Sequence, residues 1–367
     1  MKLEKGVISN TQLMFLTFSF MQAMIMTANF NYALTKQDTW IVVIAASAVT
    51  ALFVLMYTVL ARRYAGKDLV QINDTVFGPY FGKAVSALYI WFFFQLIIHY
   101  AYFYNSFWIT YIMPETPRIA FLIMLMFICA MAVKGGIEVI ARCGFLLSLI
   151  VAVMTSLIFI LLFKDMKFSN LQPMLQTPPK DFIQSLHIML AIPFLDLVSL
   201  LVFFPYTAEN RKIRKPVLLA LCMSTALLLI SVVGNVAAAG ERVANSTSVS
   251  FAIPREIDFA GVLTRLDVLI ALTLLITIFM KIAVMYYVTA ISTARLLNLR
   301  SYRPLIIPIG VLVIGFAVKL YPSDMEQVYA GKNVWPFYAI VQEALLPAVT
   351  LAVVYIRKLF QKRGAEQ

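Results

Sequence analysis

Runs of about 20 apolar residues recur along the whole chain, divided by short polar or charged stretches. A helix of that length matches the ~30 Å hydrocarbon core of a bilayer. A membrane β-barrel would instead alternate polar and apolar residues strand by strand. The pattern predicts ten spans, about Asn10–Leu34, Trp40–Ala61, Lys83–Met113, Arg118–Val133, Glu138–Phe163, Phe182–Tyr206, Lys215–Ala239, Asp267–Leu296, Pro304–Leu320 and Trp335–Ile356. The fold class is therefore an all-α polytopic membrane protein. Residues 1–367 are read as one transmembrane domain, with a basic tail over 357–367.

Charge sets the orientation. If the N-terminus is cytoplasmic, the inner loops and tails hold 19 Lys and Arg, the outer loops hold ten, and Lys281 is left inside a span. The bias is sharpest in "AENRKIRK" (208–215) and "ARLLNLRSYR" (294–303), short loops in which the positive-inside rule has most force. Both termini are expected in the cytoplasm. The polar opening "MKLEKGVISNTQ" predicts an uncleaved first span rather than a removable signal peptide.

A 62% hydrophobic and 13% charged composition excludes an ordinary soluble domain, which carries about a quarter charged residues. The net charge of +12 collects at span ends, so no nucleic-acid role is expected. Two histidines exclude a multi-histidine metal site, and Cys129, Cys143 and Cys222 read as small buried hydrophobes. No soluble-enzyme motif is present, so neither enzyme chemistry nor a cofactor is expected.

Ten spans divide into halves of five, about 10–163 and 182–356. An odd count per half makes any structural repeat an inverted one, as in many secondary transporters. The first span of each half is the place to look for a break. In "IMLAIPFLDLVSLLVFFPY" (188–206), Pro193 removes a backbone donor and disfavours helix at Ile192. Asp196 follows three residues later. A carboxylate at bilayer depth costs about 3 kcal/mol, so it requires a protein or water-filled surrounding and a partner. Lys281, in the middle of span eight, is the partner to test; it either pairs with Asp196 or occupies the place of a coupling cation. It stands in the stripe Thr273, Thr277, Lys281, Met285, Thr289 and Thr293. Span three carries a polar face of Gln95, His99, Tyr102 and Ser106, flanked by Tyr100 and Tyr104. Span one has neither glycine nor proline between Gly6 and Gly66, so its local sequence does not support an unwound midpoint, and a break in this helix is left open.

Several stretches resemble one family, the membrane B subunits of bacterial spore germinant receptors, within the amino acid–polyamine–organocation superfamily. They are "ISNTQLMFLTFSF" with "ALTKQDTWI" at the start, "FSNLQPML" between spans five and six, "FAIPREIDFAGVLTRLDVLIALTLLITIFMK" into span eight, and the tail "YIRKLFQKRG". The resemblance covers essentially the whole chain. It implies a LeuT-like 5+5 inverted repeat in the spore inner membrane, working with a larger A subunit and a lipoprotein C subunit. It also implies a small neutral nutrient, an amino acid first, bound between spans one, three, six and eight. Carried onto this chain, that pocket would involve Met24, Tyr100, Tyr104, Phe194, Leu197, Met285 and Thr289. A cation-coupled amino-acid transporter of the same superfamily is the alternative.

Overall fold

The computed structural model describes residues 3–23, 27–209, 211–244 and 266–364. Met24, proposed for the pocket, and the loop stretch 251–265 of the resemblance lie outside the described residues.

The chain runs through α1 (Asn10–Met21), α2 (Asn29–Thr35), α3 (Thr39–Arg63), α4 (Leu69–Phe77), α5 (Phe81–Tyr111), α6 (Arg118–Gly135) and α7 (Ile137–Leu162). The second half holds α8 (Pro179–Met189), α9 (Arg214–Ala239), α10 (Leu266–Leu296), α11 (Ile306–Lys319), α12 (Asp324–Asn333), α13 (Trp335–Ile340) and α14 (Leu346–Gly364). Among the described residues, eight helical stretches are long and apolar enough to cross a membrane, and α11 with α12 makes a ninth candidate bent by 105°. The short α1, continued by α2, occupies the first predicted span.

Local chemistry explains many of the ends. Ser9 caps α1 and Asp68 caps α4, each trading hydrogen bonds with a glutamine three residues on. Gly136, at φ 86°, makes the turn between α6 and α7 that a side-chain-bearing residue would strain. The lipid-facing side is visible as exposed Ile123, Phe127 and Met131 on α6 and Leu146, Val153 and Ile160 on α7. By contrast, α10 is buried on nearly all sides between α5, α7, α6 and α1.

Span six breaks as its proline predicts. Ile192 is extended (φ −143°, ψ 101°), and the chain continues as a tighter 3₁₀ segment from Leu195 to Val202. Span one is interrupted as well, although its local sequence holds no helix breaker. α1 stops at Met21, Gln22 and Ala23 form a turn, Thr27 is helical again, and α2 runs from Asn29. The cause is tertiary. The Gln22 side chain donates to Phe18 O at 3.3 Å and to Ser224 Oγ on α9 at 3.4 Å. The Lys281 ammonium sits 3.7 Å from the Phe20 ring, at the end of α1 where the helix dipole is negative.

Three carboxylates tie distant segments together. Asp38 accepts the backbone N–H groups of Leu175, Gln176 and Thr177 and the Thr177 hydroxyl, all at 2.8–3.0 Å. It thereby fastens the turn before span two to the loop before span six. On the face that carries the N-terminal segment, Arg295 Nε donates to Asp68 Oδ2 at 2.8 Å. Glu4 accepts from Tyr302 and Tyr287 there, and Ile8 pairs with the backbone at the end of span six. These contacts close that face.

Asp68 serves twice, capping α4 through Oδ1 and holding Arg295 through Oδ2. Asn can cap a helix but carries no charge. In thermal unfolding of the purified protein, Asp68→Asn should be destabilised by the loss of a charge-assisted hydrogen bond, about 1.5–3 kcal/mol. Asp68→Ala should lose about 1 kcal/mol more for the cap. Equal losses would show that the cap contributes nothing.

Candidate functional site

The bilayer-depth polar groups converge. Lys281 Nζ lies 2.6 Å from Asp196 Oδ2, and both side chains are fully buried. Beyond this ion pair, neither the ammonium nor the second Asp196 oxygen has a hydrogen-bond partner among the described residues. Tyr100 donates its hydroxyl to the same Asp196 Oδ2 at 3.3 Å. The ammonium also lies over two rings, Phe20 at 3.7 Å and Tyr100 at 5.2 Å. A desolvated cation gains from such ring faces, which compensates part of its lost hydration. Pro193 supplies the break that lets Asp196 leave regular helix. The Ser199 hydroxyl then satisfies the Asp196 carbonyl at 2.7 Å.

A cavity with about 580 Å³ of empty volume lies on the side away from the N-terminal segment. It is lined by Ala23 and Thr27 before α2, by Leu96, His99, Tyr100 and Phe103 of α5, by Ile192 at the break, and by Ile278 of α10. Tyr321, Gln327, Gly331 and Trp335 cover it from α12 and its flanks. No charged side chain lines it among the described residues. Thr27, His99 and Gln327 bring polarity to an otherwise aliphatic and aromatic wall. A mostly apolar wall with a few polar groups is the kind of lining found in small-molecule sites. Tyr100 is the one side chain shared by the cavity wall and the buried ion pair.

Of the pocket residues carried over from the resemblance, the structure puts Tyr100 in this wall. Phe194, Leu197, Met285 and Thr289 are buried in the core and do not line the cavity, and Tyr104 lies against Trp108 with ring centroids 5.9 Å apart. Met285 and Thr289 are one and two turns from Lys281, toward the closed face. The threonine stripe of span eight bonds inward: Thr273, Thr277, Thr289 and Thr293 each donate to a carbonyl three or four residues back. Those hydroxyls satisfy themselves and need no ligand. His99 contacts the carbonyl of Gln95 at 2.7 Å and packs 4.3 Å from Trp335, while Tyr102 donates to Asp324 at 3.1 Å. The polar face of span three therefore meets α12.

Sequence reasoning passed over Glu343. It is fully buried on a π-helical turn, Val341–Leu345, between α13 and α14. Its carboxyl faces Asp196, and neither of its oxygens makes a well-formed hydrogen bond. The rule that marked Asp196, an acid within an apolar span, would have marked it too.

With this geometry in hand, a family model described as spore germination protein matches residues 7–325. The chain belongs to that family. It is 24% identical over 362 residues to spore germination protein KB of Bacillus subtilis, covering 97% of this chain and 96% of that one. Spore germination protein B2 of the same organism is 18% identical over 294 residues, 79% of each chain. Among solved structures, a substrate-bound, outward-open Na⁺-coupled sialic acid symporter superposes with TM-score 0.66 at 11% identity, covering 92% of this chain and 79% of that one. A nucleobase–cation symporter, Mhp1, in a closed conformation gives 0.64 at 13% identity, covering 93% and 76%. MhsT in complex with L-phenylalanine gives 0.59 at 14% identity, covering 93% and 97%. These likenesses show the fold, a ten-helix LeuT-like arrangement, and the chain is an integral membrane protein of transporter-like architecture.

The ion pair can be tested directly. Lys281→Met leaves Asp196 buried without its cation, and such a loss costs about 3–5 kcal/mol. Asp196→Asn should cost a similar amount. The double variant should be less destabilised than the sum of the two singles in thermal unfolding, since neither orphaned charge remains. Additive losses would mean that the two groups do not interact.

Proposed function

We propose that this member of the spore germination family is the nutrient-sensing membrane subunit of a germinant receptor. It binds a small neutral molecule, an amino acid first, and signals by a change of conformation. The observation that carries this reading is the uncharged cavity beside the broken sixth span, with Tyr100 joining its wall to the Asp196–Lys281 pair. A wall without charged side chains suits a ligand of no net charge. The extended backbone at Ile192 offers groups that regular helix would have satisfied. A ligand that fits one state of such a site better than another shifts the population toward it.

In this reading the halves 10–163 and 182–356 act as paired repeats of one transmembrane unit. The termini, including the basic tail over 357–367, face the cytoplasm of the spore, and the protein sits in the inner membrane. The partners are the A and C subunits of the receptor. The pocket extends from the cavity toward Phe194, Leu197, Met285, Thr289 and Tyr104 when the site opens. A second reading is supported by the fold neighbours, two of which are named as cation symporters: a cation-coupled amino-acid transporter.

Filling the cavity separates these readings from a purely structural role. Leu96→Trp or Ile278→Trp, at wild-type membrane levels, should raise the nutrient concentration for half-maximal spore germination by about tenfold or more, equivalent to ~1.4 kcal/mol of binding. Unchanged sensitivity would remove the cavity from nutrient sensing. Gradient-driven amino-acid accumulation in proteoliposomes, abolished by the same variants, would favour the transporter.

A further inference from the structure

Glu343 remains unused by the ligand reading, although it is an acid at bilayer depth with no exposure to solvent. Its turn packs against the Leu195–Val202 segment of span six and against α5. The titratable groups around it come from four elements: Asp196 from span six, Lys281 from α10, Tyr57 from α3, and Tyr100 from α5. Tyr89, also on α5, interacts with Tyr57 at the edge of the cluster. Tyr57 donates its hydroxyl to the backbone carbonyl of Glu343, so it fixes the turn and leaves the carboxyl oxygens open.

The charges in this cluster do not balance as they stand. One ammonium faces two carboxyl groups, all three buried. With both acids ionised the cluster would hold a net negative charge where water cannot solvate it. Two adjacent carboxyl groups in such a site share a proton. The ammonium, at 2.6 Å, and the Tyr100 hydroxyl, at 3.3 Å, both stand at Asp196, whereas neither Glu343 oxygen has a hydrogen-bond partner among the described residues. The proton therefore falls to Glu343. The second Asp196 oxygen, left without a donor, is the acceptor that a Glu343 hydroxyl would meet.

We propose that Glu343 is a proton-binding residue, neutral while the Asp196–Lys281 pair is intact, and that its proton is linked to nutrient binding through Tyr100. A ligand that moves the Tyr100 hydroxyl away from Asp196 removes a bond that holds negative charge there. The one proton shared by the Glu343 and Asp196 oxygens is then held more tightly, so at alkaline pH, where the unliganded pair begins to lose it, the liganded pair takes it up from solvent. Linkage runs both ways: ligand changes proton occupancy, and pH changes ligand affinity. The coupling rests on the ligand-site reading above; the proton on Glu343 does not.

The test has two arms, both on the full-length protein in lipid nanodiscs. In infrared difference spectra between neutral and alkaline pH, the wild type should show the C=O stretch of a buried protonated carboxylic acid. Glu343→Gln, which has the shape of the neutral acid, should lack it, and Glu343→Asp should shift it. A wild type without the band, or a band unchanged in both variants, overturns the assignment. If Glu343→Gln does not fold, the shift in Glu343→Asp decides. In the second arm, L-valine and L-phenylalanine are titrated by thermal stabilisation at several pH values. The wild-type midpoint should move by up to about tenfold per pH unit, the limit for one linked proton, and that of Glu343→Gln should stay flat. Equal pH dependence in both overturns the coupling. Binding of neither amino acid at any pH also overturns it and counts against the ligand-site reading, while the infrared arm still decides the proton.

Discussion

A carboxylate and an ammonium 2.6 Å apart, both fully buried, govern the centre of this molecule. Neither charge is tolerable alone at that depth, so the elements that carry them must meet in one register. Asp196 reaches the pair because Pro193 breaks span six. Lys281 reaches it from α10, the helix most enclosed by its neighbours. The ammonium also lies against Phe20, where α1 ends, so the first span is interrupted beside the same charge. One contact thus joins the first helix of each half.

The two faces of the protein differ in a way that follows from this centre. Toward the N-terminal segment, Glu4, Asp68, Arg295 and the Ile8 pairing knit span six, α10 and the start of the chain together. On the opposite side a cavity remains, covered by α12 and bounded by aromatic rings. A bundle closed at one end and hollow at the other has its cavity on one side of the ion pair. Relieving the closed end would have to break the contact between Asp68, at the start of α4, and Arg295, which stands on the same helix as Lys281. α10 is therefore the element through which events at the cavity can reach the closed face.

Much of this was legible in the residues. The spans follow from apolar run length, the break in six from Pro193, and the Asp196–Lys281 pairing from the cost of burying either group alone. Other features were not legible. The end of α1 has no glycine or proline to announce it; Gln22 and the ammonium of Lys281, more than two hundred residues away in sequence, decide it. Asp38 looks like an ordinary loop acid until the backbone of residues 175–177 folds onto it.

The sequence by itself determined the fold class, because transfer into a bilayer is summed residue by residue along the chain and needs no knowledge of neighbours. It also determined which polar residues had to find partners. The tertiary structure alone decided who those partners are: that Tyr100 rather than Tyr104 touches Asp196, that the span-eight threonines satisfy their own helix, and that Glu343 joins the ion pair. Such choices depend on the register of separate helices against one another, which arises only when they pack.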